Sequence, residues 1–308
     1  MNAATATGAS AEPEFRAAGT DLSERRRSGV SYGPIVDLTA SPDTIGVDWA
    51  ADGSARIGAF TTIAAIAADA RITEAYPGIA AAAQGLATPQ IRHLATLGGN
   101  IAQRSRCWYF RNPHIPCLKK GGSGCPARSG NHLYHVAFDL GPCVAPHPST
   151  MAMALLAYDA KISTDRRSGL SIGELLGDGT NGAADHLLEP GEKISNVELP
   201  CPLAGERAFY KRAISRTYAE WPLVEVCARA VVSGGTFRHV HIAAGGIAPV
   251  PLRLRECQAA LEGKPSNAES IGQAARLAMS GARPLPMTGY KLDLLQGLVR
   301  DAMERIAE

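Results

Sequence analysis

Cys107, Cys117, Cys125 and Cys143 fall in one stretch, residues 104–148, that is rich in Arg, Lys, Gly and Pro and carries almost no helix or strand periodicity. Their spacing, C(x9)C(x7)C(x17)C, lacks the closely paired cysteines of zinc ribbons and fingers, which makes structural zinc the weaker metal reading. A [4Fe-4S] cluster needs four thiolates on one compact core. Long loops deliver them where the backbone bends freely and donates N–H groups to sulfur. Gly121, Gly122, Gly124, Gly130 and Gly141 supply the bending, and Arg104, Arg106, Arg111, Lys119, Lys120 and Arg128 could offset the negative charge of thiolates and cluster. The competing reading is four small buried hydrophobes in a surface loop, and spacing and composition alone leave both open. His114, His132, His135 and His147 are nearby as replacement ligands, although each taken singly reads as a surface residue. Cys201, Cys227 and Cys257 lie outside the stretch and read as buried or incidental thiols.

Two glycine loops form a second constellation. AAGTDL, comprising Ala17, Ala18, Gly19, Thr20, Asp21 and Leu22, follows a short extended piece, Glu14 to Arg16; TLGGN, Thr96 to Asn100, follows a helix. In each, backbone N–H groups could line an anion-binding concavity, with the Thr20 and Thr96 hydroxyls as further donors. Glycine matters there because a Cβ blocks close approach to a pyrophosphate. Neither loop matches G-x-G-x-x-G or the Walker pattern. Each alone reads as an ordinary turn; together they favour a dinucleotide held between two lobes.

The elements that must position these pieces are short. Ile35 to Leu38 and Ala55 to Ala59 read as buried strands, and Thr61 or Thr62 caps an Ala-rich helix over 63–70. Further helices cover 79–86 and the segment from Pro89 that stops at TLGGN. After the cysteine stretch, Ser149 or Thr150 caps a helix over 151–158, a strand covers 160–164, and Ser171 with Glu174 forms a capping box. Residues 193–200 alternate like a strand and PCPLAGE is a linker. Beyond it, 209–214, 223–233 and 238–244 predict an antiparallel meander turning at Gly234 and Gly235. The final helix, 290–307, repeats Leu295, Leu298, Val299, Ala302 and Ile306 at helical spacing. Two α+β domains are predicted, residues 1–200 with an insertion at about 103–146, and residues 205–308.

With 308 residues, a net charge of +2 and 19% charged residues, the chain offers no electrostatic case for nucleic acid or an anionic membrane as partner. Its N-terminus shows no secretory pattern and no window has membrane-spanning character, so the cytoplasm is expected, with the periplasm by co-export as the alternative. Reduced thiols follow from a cytoplasmic location.

In order along nearly the whole chain, AAGTDL, TLGGNIAQRSRC, the four-cysteine stretch, APHPSTMAMALLAYDA and FYKRAISRTYA resemble the FAD-binding (medium) subunit of the xanthine dehydrogenase family of molybdenum hydroxylases. The similarity is greatest to the periplasmic aldehyde oxidoreductase branch, whose flavin subunit carries an extra [4Fe-4S] cluster in an insertion after the GGN loop. The resemblance implies an α+β, two-lobed FAD-binding domain of the vanillyl-alcohol oxidase (PCMH) type with an iron–sulfur insertion, then a C-terminal domain of the CO dehydrogenase flavoprotein type. It implies that residues 17–22 and 96–101, with Thr96, Gly98, Gly99, Asn100 and Ile101 named among them, hold FAD, with Lys211 beside the flavin. It implies Cys107, Cys117, Cys125 and Cys143 as cluster ligands.

The implied partners are a molybdenum-cofactor large subunit and a [2Fe-2S] small subunit, with ferredoxin, quinone or oxygen as acceptor. This chain would act on no organic substrate alone. The alternative is a structural subunit that lacks FAD and keeps only the cluster. Three departures bear on the FAD site: the family usually places a strand and a helix before its first glycine loop, that loop reads Ala17-Ala18-Gly19 where the family tends to have more glycine, and Thr150 stands where it typically has Asp after HPS.

Overall fold

In a computed structural model, residues 13–215 and 220–308 are described; the end of the FYKRAISRTYA motif, at 216–219, lies outside them. The chain opens with a small unit in which β1 (Glu14–Arg16) and β2 (Ile35–Asp37) pair in parallel across α1 (Leu22–Arg27). The sequence reading has Ile35 to Leu38 as a buried strand. Instead Val36 is 40% exposed, because a two-stranded sheet leaves one face in solvent.

A five-stranded sheet follows, built from β3 (Val47–Trp49), β4 (Ala55–Gly58), β5 (Lys161–Thr164), β6 (Leu170–Ser171) and β7 (Ile194–Leu199) in the order β3-β4-β7-β5-β6, all antiparallel. Between β4 and β5 run α2 (Ile63–Ala68), α3 (Ala70–Ala75), α4 (Pro77–Gly85), α5 (Pro89–Leu94), α6 (Leu97–Ile101), α7 (Trp108–Arg111) and α8 (Thr150–Ala157), with α9 (Ile172–Leu176) after β6. Their starts follow local chemistry. Thr62, Asp69, Thr88 and Ser149 each accept a first-turn N–H. Asp69 thereby splits the single helix read at 63–70 in two.

The C-terminal region is a four-stranded antiparallel sheet, β11-β10-β9-β8, from β8 (Glu206–Ala213), β9 (Val224–Ser233), β10 (Thr236–Gly245) and β11 (Leu252–Arg253). Gly234 and Gly235, at φ +56° and +71°, make the tight turn between β9 and β10. Helices α10 (Arg255–Leu261), α11 (Ala268–Arg276) and α12 (Tyr290–Ala307) complete the chain. They share a core with this sheet through Val226, Ala228, Ile242, Leu295 and Val299.

Sheet residues Cys227 and Ala243 instead belong to the core of α4 and α8. Close approach there requires Gly78: a Cβ on it would lie 2.8 Å from Cys227 Sγ and 3.0 Å from the Tyr158 hydroxyl.

Arg229 fastens this contact. It donates from Nε to the Ala157 carbonyl at the end of α8, 2.6 Å away, and reaches Glu206 at 2.5 Å and Asp159 at 3.2 Å. The guanidinium caps that one helix-end carbonyl while neutralising Glu206, whose side chain is 4% exposed. Arg229→Met would strand that carboxylate, and a loss of about 3–5 kcal/mol in denaturant unfolding is expected.

Candidate functional site

The AAGTDL loop leads from β1 into α1 and forms one wall of a cavity of about 570 Å³, completed by Thr96, Gly98, Gly99, Gln103 and the segment 186–194. Gly19 has φ +75°, and a Cβ there would sit 3.0 Å from Ser23 Oγ. None of the backbone N–H groups of Ala17 to Asp21 meets an acceptor among the described residues. A row of open amides on a cavity wall suits an anion.

Asp21 turns its side chain the other way, into the cysteine stretch. Its carboxylate takes Arg25 Nε at 3.0 Å, the Arg104 amide at 3.2 Å, Arg106 at 3.1 Å and Arg111 at 2.7 Å. Burial alone would push this carboxyl up, but the guanidiniums of Arg106, Arg111 and Arg25 outweigh it and hold it below the ordinary carboxylate value. Its contribution to stability is present above that ordinary value and lost as pH falls through the folded one.

TLGGN is not the open turn that its glycines suggest. Thr96 caps α6, and the amides of 97–100 are spent: Leu97 on Thr61 O, Gly98 on Ala59 O, Gly99 on Thr96 Oγ1 and Asn100 on Thr96 O. Gly98 is needed for packing, since its Cβ would meet Ala59 Cβ at 2.9 Å. Asn100 accepts from Ser149 at 2.8 Å and so holds the start of α8, while Ile101 is fully buried in the core. Thr96, Gly98 and Gly99 border the cavity; Asn100 and Ile101 do not.

Cys107, Cys117, Cys125 and Cys143 all line one small cavity of about 20 Å³ with Tyr109, Phe110 and Leu118. No disulfide joins them. Gly122 lets the loop close on Cys117, whose carbonyl accepts the Gly122 amide at 2.9 Å and whose nitrogen would lie 2.8 Å from an added Cβ. A hydrogen bond with Cys143 pulls the Cys125 thiol down to about 5, and the same interaction with burial raises Cys143. Burial raises Cys107 as well. Among the described residues no group of three or more His, Cys, Asp or Glu side chains is arranged to hold a metal ion.

The cations read as counter-charges are committed elsewhere. Arg104 and Lys119 pair with Asp185, Arg106 and Arg111 with Asp21 and Glu24, and Arg128 with Asp139. Lys120 binds the Tyr109 and Asn112 carbonyls.

A third cavity, of about 610 Å³, abuts the cysteines: Cys107 lines both. Its walls include Trp108, Tyr134, His135, His147 and Trp221, and the Arg106 guanidinium stacks 4.6 Å over Trp221. Lys291, 1% exposed on α12, props this wall by donating to the carbonyls of Tyr134 at 3.1 Å and Gly246 at 2.7 Å. Burial pushes its ammonium down to about 7. The sequence signal for Lys291 is its place on the apolar stripe that continues through Leu295 and Leu298.

Lys211, read as a flavin neighbour, borders none of these cavities and pairs with Asp301 of α12. Alternation along β8 explains the difference. Lys211 shares a face with α12, whereas its neighbour Tyr210 points at Gly85 of α4.

A glycine loop with open amides lining a cavity of the N-terminal region, followed by a cysteine-rich insertion, suits a protein that binds a phosphate-bearing ligand. Residues 2–202 match the family described as the FAD binding domain in molybdopterin dehydrogenase, and 208–306 match the CO dehydrogenase flavoprotein C-terminal domain. The chain belongs to this family of molybdopterin dehydrogenase FAD-binding subunits.

It is 36% identical over 216 residues to the aldehyde oxidoreductase FAD-binding subunit PaoB of Escherichia coli (strain K12), covering 68% of this chain and 66% of that one. It is 25% identical over 277 residues to the xanthine dehydrogenase FAD-binding subunit of Escherichia coli O157:H7, covering 89% and 80% of the two. Among solved structures, quinoline 2-oxidoreductase from Pseudomonas putida 86 superposes with a TM-score of 0.74 at 18% identity over 96% of this chain and 89% of that one. Carbon monoxide dehydrogenase from Hydrogenophaga pseudoflava gives 0.73 at 22%, over 96% and 90%. These structures share the fold.

Thr150, where the family typically has Asp, meets a carboxylate of this chain. Its hydroxyl donates to Glu225 at 2.8 Å, as does the Tyr210 hydroxyl at 3.0 Å, joining α8 to the C-terminal sheet. Burial pushes the Glu225 carboxyl from 4.5 up to about 7, against the pull of those two hydrogen bonds. The folded protein thus keeps a proton that the unfolded chain releases earlier. The associated stability is complete below the unfolded value and disappears as pH rises through about 7. Wild type should lose on the order of 3 kcal/mol across that window relative to Glu225→Gln. Denaturant midpoints measured against pH check this, and equal slopes would contradict it.

Proposed function

We propose that this chain is the electron-transferring FAD-binding subunit of a molybdenum-containing aldehyde or N-heterocycle oxidoreductase, and that it also carries a [4Fe-4S] cluster on Cys107, Cys117, Cys125 and Cys143. The observation that carries the reading is that Cys107 forms the wall between the four-cysteine cavity and the aromatic-walled cavity. The donor set fits a cluster. Four sulfurs border one small space with no disulfide among them, which is the ligand set that a [4Fe-4S] cluster asks for.

FAD when bound supplies two-electron chemistry, and the cluster a one-electron station. The remaining tasks belong to this chain's residues. The open amides of Ala17 to Asp21 receive the phosphates, and Thr20 adds a hydroxyl. Thr96, Gly98 and Gly99 shape the facing wall, the two glycine amides being already engaged within the domain. Trp108, Tyr134 and Trp221 offer flat apolar surface for a conjugated ring and keep water from it.

Electrons would arrive from a molybdenum-cofactor subunit and a [2Fe-2S] subunit and leave to ferredoxin, quinone or oxygen. The engaged amides of TLGGN favour the alternative of a subunit that keeps the cluster and lacks FAD.

Anaerobically purified protein should be yellow and hold iron and acid-labile sulfide in equal amounts. Cys125→Ser should lose most of the iron while retaining flavin. Zinc, or no metal, in folded protein would remove the cluster, and a cluster without flavin absorbance would select the alternative.

A further inference from the structure

His135 is 2% exposed and sits on the wall that separates the cysteines from the aromatic cavity. Its Nε2 lies 3.2 Å from Cys107 Sγ. Its Nδ1 is buried with no hydrogen-bond partner among the described residues. The ring is held from several sides: Trp108 packs edge-on at 5.7 Å and Tyr109 tilts against it at 6.0 Å. Its own amide bonds the His132 carbonyl at 2.9 Å, and the preceding residue's carbonyl is tied down by buried Lys291. This imidazole leaves one nitrogen orphaned, as the His147 and His186 rings also do, so the contact with the Cys107 sulfur is what sets His135 apart.

We propose that His135 is a positioning and tuning residue for the cluster, donating an Nε2–H hydrogen bond to the Cys107 thiolate. This rests on the cluster reading above. Once Cys107 is a thiolate it can only accept, so the ring proton belongs on Nε2, and Nδ1, which has no hydrogen-bond partner among the described residues, does not compete for it. A donor to sulfur stabilises the more negative, reduced state of a cluster and raises its potential. The task falls to His135 because the arginines and lysines of the stretch are bound to carboxylates or carbonyls.

The same imidazole also lines the aromatic cavity, so this hydrogen bond lies between the cysteines and that cavity. His114, His132 and His147 do not share the role. His132 is committed through Nδ1 to the Ala127 and Gly130 carbonyls and through Nε2 to the Met287 amide. His147 accepts the Ser149 amide.

The test is an EPR-monitored redox titration of the full chain, purified anaerobically, as wild type, His135→Phe and His135→Gln. His135→Phe keeps a planar ring and removes the donor. Its cluster should need a potential lower by ~59 mV for each tenfold loss in preference for the reduced form, and one such tenfold step is expected. His135→Gln, which restores an N–H, should recover most of the shift.

An iron-replete His135→Phe protein with wild-type cluster potential overturns the proposal. Iron-free wild type overturns instead the cluster reading on which it rests. Should His135→Phe fail to hold iron, pulsed EPR of the reduced wild-type cluster with 15N-labelled histidine decides. Coupling to one histidine nitrogen supports the bond, and its absence overturns it.

Discussion

One carboxylate organises the region where the chemistry is placed. Asp21 ends the first glycine loop and takes hydrogen bonds or ion pairs from Arg25, Arg106 and Arg111 and from the Arg104 amide. The glycine loop and the cysteine insertion, more than eighty residues apart in sequence, are thereby pinned to a single point. Its partners are mostly buried, with side-chain exposures of 13% for Arg25, 17% for Arg106 and 8% for Arg111. In such a site the geometry has to be good for attraction to offset desolvation, and breaking one member strands the others. The loop can therefore present its open amides to the cavity only while its last side chain is anchored behind them.

The insertion is anchored equally at its far end. The amides of Ala137 and Phe138 donate to Ile247 O, the Arg283 amide donates to Ala137 O, and His132 accepts the Met287 amide. Ala137 and Phe138 join the core of the C-terminal sheet. A stretch with little secondary structure is thus held by both domains, which is how an irregular chain can keep four sulfurs around one small space.

What could be seen in the sequence was what local chemistry determines. The Gly234–Gly235 hairpin, the Ser171–Glu174 capping box and the 290–307 helix all follow from a few adjacent residues and stand as expected. TLGGN misled because two glycines suggest a turn, whereas the threonine before them caps a helix whose amides are consumed within the domain. Lys211 pairs with Asp301 because strand alternation decides the face, and one position separates it from Tyr210. Glu225 had no local signature, Lys291 only its place on an apolar stripe, and Asp21 only Arg25 one helical turn on. Their distant partners, Thr150, the Tyr134 carbonyl and the Arg104 amide, lie 75, 157 and 83 residues away, so only the fold brings those near. The counter-charge expected of the basic residues likewise depended on carboxylates supplied from distant segments.

The family explains the two lobes and the first loop, and the cysteine insertion adds a second redox centre to the reading. Both depend on the Asp21 anchor, so the decisive measurement is flavin and iron content, side by side, in folded Asp21→Asn protein purified anaerobically. Joint depletion of both, with the far-ultraviolet spectrum unchanged, is the expected result. Full retention of flavin and iron, or loss of one with the other intact, would contradict the view that a single buried carboxylate holds the two sites together.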